Sequence, residues 1–360
     1  MLGVIIVLFS AILLLCGYLT SFMESDKPWV LTAGLVMPII YIINVIIFLI
    51  LIIRAKFILS SIPFLVLLLT FNTTTAMFGI NVFKRYDDSK SKFKVATYNV
   101  HGFRNDQWIF KFDSIMNDID SINADILCLQ EFETFNVSLD SIQKRLPKLK
   151  YAHTHISDSV STTQKEGRGT AILSRYPLIN LKNIDFEESD NRCQIANIII
   201  NRDTLTIINA HLQSSGINIT DANHIRNIQD SLMMLKDSSV YKQTIVPLYQ
   251  KLVKSNSKRK NQADEIADYI QNSKYPVILC GDFNSVPSSY TYRTFTSKCD
   301  LEDPFLKFGV GYESTYKQFN NLLRIDYILH SEQYESVSFY VPQFEFSDHY
   351  PVVVEFTKTK

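Results

Sequence analysis

The apolar residues of this 360-residue chain are divided between two unlike regions. Uncharged and largely apolar stretches occupy residues 2–22, 29–53 and 57–80. A helix needs about 20 such residues to cross a bilayer, so the pattern predicts three transmembrane helices. The remainder has the mixed apolar and polar pattern of a water-soluble domain. The predicted organisation is a membrane anchor over 1–83, a linker over 84–91 and a folded domain over 92–358.

Short apolar runs in the soluble region stop at polar residues, and segments with helical periodicity separate several of them. The runs "KFKVATYNV", "ADILCLQE" and "YPVILCGDFN" are typical of buried strands. Residues 192–212 predict a β-hairpin about the turn 201–203. Apolar spacing predicts helices over 106–122, 138–146 and 259–273. This order predicts a mixed α/β sandwich, with the sheets inside and the helices outside.

One stretch, residues 214–260, fits none of these patterns and is interpreted as an insertion after His211. It is polar at first and amphipathic later. Long connections of this kind are often functional lids or are loosely ordered, and both interpretations stay open.

Charge lowers the expectation of a long nucleic-acid ligand. The whole chain has a formal net charge of zero, and the soluble region alone has a net charge of about −1. Proteins that bind long nucleic acids usually carry a basic face. The five cysteines show no C-x-x-C pair, so neither a zinc site nor a disulfide framework is indicated.

The short loop at Arg54–Lys56 bears on the orientation of the anchor. With three spans this loop lies opposite the domain, and its cations favour a cytoplasmic position. The basic residues that follow the last span favour the reverse. We give the short loop more weight and predict a bacterial inner-membrane protein whose domain is external or periplasmic. The span interiors lack Asp, Glu, Lys, Arg and His, which favours anchoring over transport.

The candidate chemistry lies at the ends of predicted strands, which gather at one edge of a sheet. An Asp-x-Asn pair after a strand is, taken alone, more often a turn. Carboxylate and amide oxygens suit Mg²⁺, Mn²⁺ or Ca²⁺. Histidines act as acids or bases near neutral pH. The candidate residues are Asn99, Glu131, His211, Asp282, Asn284, Asp326, Asp348 and His349.

Six motifs in order resemble those of the endonuclease/exonuclease/phosphatase superfamily: "TYNVHGF", "LQEFE", "NAHLQS", "GDFNSVP", "LRIDYILH" and "SDHYPV". That superfamily includes pancreatic deoxyribonuclease, abasic-site endonucleases, neutral sphingomyelinases and inositol polyphosphate phosphatases. The resemblance covers roughly residues 92–358. It implies a four-layered α/β sandwich with two central mixed sheets.

The resemblance also implies a role for each candidate residue. Asn99, Glu131 and Asp348 resemble metal ligands, and His211 resembles a histidine that contacts phosphate. The Asp282 and Asn284 pair resembles the groups that orient the nucleophile and contact phosphate. His349 resembles the general base, and Asp326 resembles its partner.

These features predict a membrane-anchored, divalent-metal-dependent phosphoesterase that uses water as the nucleophile. The anchor favours a phospholipid or another lipid-linked phosphate as substrate, because it keeps the site near the membrane. The alternatives are a tethered endonuclease similar to deoxyribonuclease I, a polyphosphate or inositol phosphate phosphatase, and an inactive binding module. No protein partner is indicated.

Overall fold

The computed structural model describes residues 2–81, 93–105, 107–135, 137–156, 167–216 and 246–359. The strands are β1 (Gly79–Ile80), β2 (Phe93–Asn99), β3 (Ile126–Glu133), β4 (Tyr151–Ile156), β5 (Arg168–Ser174), β6 (Leu178–Asp185), β7 (Arg192–Ile200), β8 (Asp203–His211), β9 (Val277–Asp282), β10 (Val310–Gly311), β11 (Asp326–His330), β12 (Tyr334–Tyr340) and β13 (Val352–Lys358). The helices are α1 (Leu2–Thr20), α2 (Pro28–Ile53), α3 (Phe57–Leu69), α4 (Phe71–Met77), α5 (Phe112–Ile122), α6 (Leu139–Arg145), α7 (Val246–Gln271), α8 (Tyr290–Arg293), α9 (Phe305–Phe308) and α10 (Gln318–Asn321). The predicted linker 84–91 lies outside the described residues.

Two mixed sheets face each other in the soluble domain. The strand orders are β12-β13-β2-β3-β5-β4 and β11-β9-β8-β7-β6. Buried side chains such as Val95, Ile207 and Ile278 fill the space between the sheets. Helices α5 and α6 cover the outer face of the first sheet, and α7 covers that of the second. The predicted four-layered sandwich is therefore confirmed.

Strand direction brings the candidate residues to one edge of the sandwich. Strand β8 is parallel to β9, and their last residues, His211 and Asp282, are paired. Strand β11 is antiparallel to β9, so its first residue, Asp326, lies opposite Asp282. In the other sheet β2 is parallel to β3, and Asn99 ends β2 at the same edge. We call this edge the site edge.

Two buried amides join the sheets directly beneath the site edge. The side chain of Gln130 donates to the Asn209 Oδ1 atom at 2.7 Å. Asn209 in turn donates to the carbonyls of Leu129 and Ala171, both at 3.0 Å. Both amides are buried and their bonds run from one sheet to the other, so they fix the spacing and register of the two sheets.

The anchor contains α1 and α2, which are long and apolar enough to cross a membrane. The third predicted span, 57–80, contains two helices, since α3 and α4 meet at a 65° bend. The bend lies at the start of a Thr-rich stretch, residues 70–75, and the Thr70 hydroxyl donates to the Val66 carbonyl at 2.9 Å. Such back-bonding often bends helices. The bent pair would make a third span only if it crosses as one unit.

The prediction of a helix over 106–122 is correct only from Phe112 onward. The amide groups of Gln107 and Ile109 donate instead to the Asn105 side chain, at 3.1 and 2.9 Å. An asparagine that bonds its own backbone in this way favours a turn over a helix. Trp108 therefore lies in a loop, with a left-handed backbone and a 57% exposed side chain.

Helix α7 begins at Val246, not at residue 259 as predicted. The end of the predicted insertion 214–260 is therefore helical, while residues 217–245 lie outside the described part of the chain. The extra turns pack against the anchor, where Asn256 donates to the Leu31 carbonyl at 2.9 Å. A contact so distant in sequence stabilises a segment whose own pattern is weak.

Gly281 permits the close pairing of β8 and β9, and its replacement by alanine is expected to destabilise the domain. Its φ is +144°, and an added Cβ would lie 1.8 Å from the Ala210 carbonyl oxygen. We expect Gly281→Ala to lower the free energy of unfolding by about 2–3 kcal/mol. Thermal unfolding of the purified protein checks this. Gly3→Ala is the control, since no atom lies within 4 Å of its added Cβ, and an equal effect would contradict the prediction.

Candidate active site

A histidine and an aspartate form a buried pair at the site edge. The Nδ1 atom of His349 lies 2.9 Å from the Asp326 Oδ2 atom. The His349 amide group donates to the Ser347 hydroxyl, which itself donates to the Asn99 carbonyl at 2.7 Å. These bonds fix the loop before β13 against the end of β2. Asp326 therefore orients the His349 ring, and the other ring nitrogen, Nε2, points toward Asp282 at 3.8 Å.

Asp282 lies at the centre of the candidate residues. Its Oδ1 atom accepts from the backbone N–H of Asn284 at 2.8 Å, and its Oδ2 atom accepts from the Asn99 side chain at 3.0 Å. The Nε2 atoms of His211 and His349 lie 3.7 and 3.8 Å from the same Oδ2 atom. One carboxylate thus joins groups from both sheets.

Asn284 has a left-handed backbone, with φ at +49°. Its side-chain nitrogen donates to the Leu212 carbonyl at 3.0 Å. This bond ties the loop after β9 to the end of β8, one residue past His211. The predicted phosphate contact would require this amide to exchange partners.

The acids at this edge strongly influence one another. Burial raises the pKa of Asp282, the charge of Asp326 raises it further, and the result is a pKa of about 6. Burial opposes the charging of His349, but the carboxylates of Asp326 and Asp282 outweigh burial and hold its pKa well above the usual value. The site therefore concentrates negative charge, which favours a cation.

Glu131 reaches the site because of a β-bulge in β3. The register against β5 shifts between Gln130 and Phe132, and Glu131 has φ at +49°. A bulge of this kind changes the direction of a side chain. Glu131 accepts from Arg168 at 3.1 Å and from Asn99 at 3.3 Å. Burial would raise the pKa of Glu131, but the positive charges of nearby groups, His211 and Arg168 first, lower it overall.

Asp348 and Glu131 both lie near the His101 ring. The Nδ1 atom of His101 is 3.4 Å from the Asp348 Oδ1 atom and 3.7 Å from the Glu131 Oε2 atom. Two carboxylates therefore face one ring, and the Asn99 Oδ1 atom accepts from the backbone N–H of the same histidine at 3.0 Å. Hard oxygen donors of this kind are the ligands that Mg²⁺, Mn²⁺ and Ca²⁺ prefer, so the donor set fits a divalent cation.

A second group of possible metal donors is Asp282, Asp326 and His349, whose ligand atoms lie within 4.8 Å of one another. In this group the His349 Nδ1 atom is already bonded to Asp326, so Nε2, which faces Asp282, is the ring atom left for a metal. The site edge thus offers two sets of donors, this one and the oxygens of Glu131 and Asp348.

His101 and Arg168 contact the site, but the sequence did not identify them as site residues. His101 was part of the quoted motif "TYNVHGF", and Arg168 begins β5. Trp108 lies against both, with its ring centroid 4.9 Å from that of His101 and 6.0 Å from the Arg168 guanidinium. The sequence signal that could have identified His101 is its position two residues after Asn99, the candidate at the end of β2.

The fold and the site together define this protein as a two-sheet α/β sandwich with acids and histidines clustered at one edge. The sequence profile of the endonuclease/exonuclease/phosphatase family matches residues 96–349. The chain belongs to this family.

Curated relatives share modest identity with the chain. Protein angel homolog 2 of Homo sapiens is 25% identical over 244 residues, which cover 59% of this chain and 38% of that protein. The CCR4-Not complex 3'-5'-exoribonuclease subunit Ccr4 of Yarrowia lipolytica is 23% identical over 239 residues, which cover 56% and 32%. The chain thus spans less than two fifths of the length of these relatives.

Solved structures share the fold at low identity. An endonuclease/exonuclease/phosphatase from Beutenbergia cavernae has a TM-score of 0.53 at 14% identity, covering 75% of this chain and 72% of that one. The human Nocturnin catalytic domain with bound sulfate has a TM-score of 0.50 at 18% identity, covering 78% and 98%. These similarities support the two-sheet fold.

Proposed function

We propose that the protein is a membrane-anchored, divalent-metal-dependent hydrolase of phosphate esters. The observation that carries this proposal is the meeting of Asp282 with His211, His349 and Asn99 at one point of the site edge. Family membership supports the reaction class. An inactive binding module is disfavoured, since all eight candidate residues lie at or next to this edge.

Water attack on phosphorus is the chemistry that these residues support best. The new P–O bond forms as the ester P–O bond breaks, and the leaving oxygen takes up a proton from solvent water and departs as an alcohol. In its neutral form His349 takes a proton from water at Nε2, while Asp326 holds the Nδ1 proton and stabilises the charged ring. A cation held at the site would favour the neutral form, because it offsets the charges of Asp326 and Asp282 that raise the His349 pKa. Asp282 orients the water next to His349. His211 and Asn284 contact the phosphoryl oxygens, and Asn284 leaves the Leu212 carbonyl to do so.

Asn99, Glu131 and Asp348 would hold the cation. A bound Mg²⁺, Mn²⁺ or Ca²⁺ would offset the negative charge that develops on the phosphate. Arg168 and Asn99 fix the direction of the Glu131 carboxylate through hydrogen bonds. Such outer contacts keep ligand groups in place before the substrate binds.

The anchor supports a phosphate ester carried by a lipid as the substrate. Helices α1 and α2 have the length and composition of spans, and they hold the site close to a membrane. We place the domain on the external face of a bacterial plasma membrane. The loop with Arg54 and Lys56 supports this, because it lies at the end of α2 that is farther from the domain.

A nuclease is the second candidate function. The name of the Yarrowia lipolytica relative describes an exoribonuclease, and it matches more than half of this chain. Nucleic acid would meet a soluble region with no excess of positive charge, which disfavours this candidate. A polyphosphate or inositol phosphate phosphatase would likewise require cations around several phosphates.

Side-by-side cleavage assays test the proposed function. The full chain in nanodiscs with Mg²⁺ is given mixed phospholipid vesicles, a short RNA, plasmid DNA and inositol phosphates. We expect phosphate-ester cleavage in the lipid arm, and none in samples where Glu131→Ala replaces the wild type. Cleavage of nucleic acid alone would make the protein an anchored nuclease, and no cleavage in any arm would refute the hydrolase.

A further inference from the structure

Helix α7 extends from the second sheet past the site edge. The Gln262 side chain accepts from the backbone N–H of Gln213 at 2.8 Å, which places residue 262 level with the end of β8. The helix ends at Gln271 and returns to β9 at Val277, on the opposite edge. The 16 residues from 246 to 261 therefore lie beyond the site edge, over about 24 Å at 1.5 Å per residue.

The anchor contacts the domain at this projecting part of α7. Asn256 donates to the Leu31 carbonyl of α2 at 2.9 Å, and Ser257 donates to Asp26 at 3.1 Å. The buried guanidinium of Arg259 links this contact to the site, since it bonds Asn256 and donates to the Gln213 carbonyl at 2.6 Å. Burial lowers the pKa of Arg259 to about 10, so it stays charged near neutral pH.

Two more contacts of the anchor lie close in sequence to site residues. The Ser288 hydroxyl, four residues after Asn284, donates to the Gly34 carbonyl of α2 at 2.7 Å. The Arg324 side chain, two residues before Asp326, donates to the Ala76 carbonyl of α4 at 3.3 Å. These contacts place α2 and the end of α4 beside the site edge, while β1 continues along the sandwich to pair with β10.

The length of α2 locates these contacts relative to a bilayer. The hydrocarbon layer is about 30 Å thick and needs about 20 helical residues. Counting 20 residues back from the end of α2 at Ile53 reaches Gly34, the residue that Ser288 contacts. The first six residues of α2 then lie in the headgroup layer, with the exposed Trp29 at the level where membrane aromatics concentrate.

The neighbouring helix α1 places the boundary between hydrocarbon and headgroups at the same height. It is antiparallel to α2, since Asn44 donates to the Ser10 carbonyl at 3.1 Å and Gly17 packs on Met37. Arg293 of the domain lies over the Phe22 ring, 5.1 Å from its centroid, just past the end of α1.

We infer that the site edge is seated on the membrane, so that the site opens to the headgroup layer. This inference rests on the proposed function and specifies how the substrate arrives. Asn284 is four residues from Ser288, which limits their separation to about 14 Å. A phosphate ester in the headgroup layer is therefore within reach without leaving the bilayer.

The surface that meets the lipid is the first half of α7, residues 246–257. It exposes Tyr249, Lys251 and Lys254 next to partly buried apolar residues. Lysines near an anionic membrane surface each contribute attraction, and their apolar stems pack on lipid. Continuity with the α2 contact at Asn256 makes the bilayer that holds the anchor the occupant of this surface.

Replacing Gly34 by leucine tests whether the site edge lies against the membrane, and it does not alter a site residue. An added Cβ would lie 2.6 Å from the Ser288 carbonyl oxygen, so the domain must move off α2. Gly3→Leu in α1 is the matched control, since nothing lies within 4 Å of its added Cβ. Both variants are assayed in vesicles of phosphatidylcholine and phosphatidylglycerol and on soluble bis(p-nitrophenyl) phosphate.

We expect Gly34→Leu to lower lipid turnover roughly tenfold, because the loss of fixed proximity lowers the effective concentration of substrate. Its rate on the soluble diester should stay at the wild-type value. Equal rates on lipid for both variants would overturn the inference, as would a parallel loss on both substrates.

A fluorescent label tests the contact between the site edge and the membrane even if the wild type cleaves neither substrate. In that case the proposed function alone fails. A fluorophore is attached at Lys254→Cys, or at Lys148→Cys in the opposite outer layer, with Cys16 and Cys299 replaced by serine. Headgroup spin-labelled lipids should quench the label at 254 and spare the label at 148. Equal quenching at both positions would overturn the inference.

Discussion

Replacing His349 by alanine is expected to lower the turnover number at least about 100-fold, the usual contribution of a general base. The ring has its Nδ1 atom 2.9 Å from Asp326 and its Nε2 atom directed toward Asp282. Alanine removes the proposed proton acceptor but leaves the backbone bond to Ser347 in place. Steady-state kinetics should show a lower turnover number with a nearly unchanged KM, and circular dichroism should show an unchanged fold.

The partner residue makes this prediction more specific. Asp326→Asn should also lower turnover, because asparagine cannot hold the charged ring. The double variant should be scarcely slower than His349→Ala, since both residues act as one unit. His153→Ala on the edge strand β4 is the control and should keep the wild-type rate. Wild-type turnover in His349→Ala would refute the assignment of the base.

Much of the sandwich could be predicted from the sequence because its strands carry strong local signals. The hairpin about 201–203 is confirmed, with β7 and β8 joined by a turn at Asn201 and Arg202. Strand ends at Asn99, His211 and Asp282 could be identified because each apolar run stops at a polar residue. Parallel pairing then brings such ends together, which is why dispersed residues form one cluster.

The features that could not be predicted depend on contacts between distant residues. Strand alternation gives no sign that the chain bulges at Glu131, yet the bulge directs this carboxylate into the site. The contribution of His101 depends on two distant carboxylates, Glu131 of β3 and Asp348 of the loop before β13. The early start of α7 depends on α2, and the loop at Trp108 depends on the Asn105 side chain.

Replacing Glu131 by glutamine is expected to lower activity at least about 100-fold at ordinary Mg²⁺ concentrations, because the proposed metal ligand loses its charge. Glutamine keeps the size of the side chain, and its oxygen can still accept from Arg168. The backbone bulge is therefore preserved, and the change is mainly electrostatic. Raising the Mg²⁺ concentration should restore part of the rate, since the remaining Asn99 and Asp348 oxygens still bind the cation weakly.

Metal titration separates this role from a purely structural one. For Glu131→Gln, the Mg²⁺ concentration at half-maximal rate should rise about tenfold or more, as expected when ligand charge is lost. Glu302→Gln is the control, because the Glu302 side chain is 64% exposed. It should leave that concentration unchanged. A lower rate with unchanged Mg²⁺ dependence would show that Glu131 does not hold the cation. It would leave Glu131 as the group that orients Asn99 and Arg168, and the cation would have to be held by other acids of the site edge.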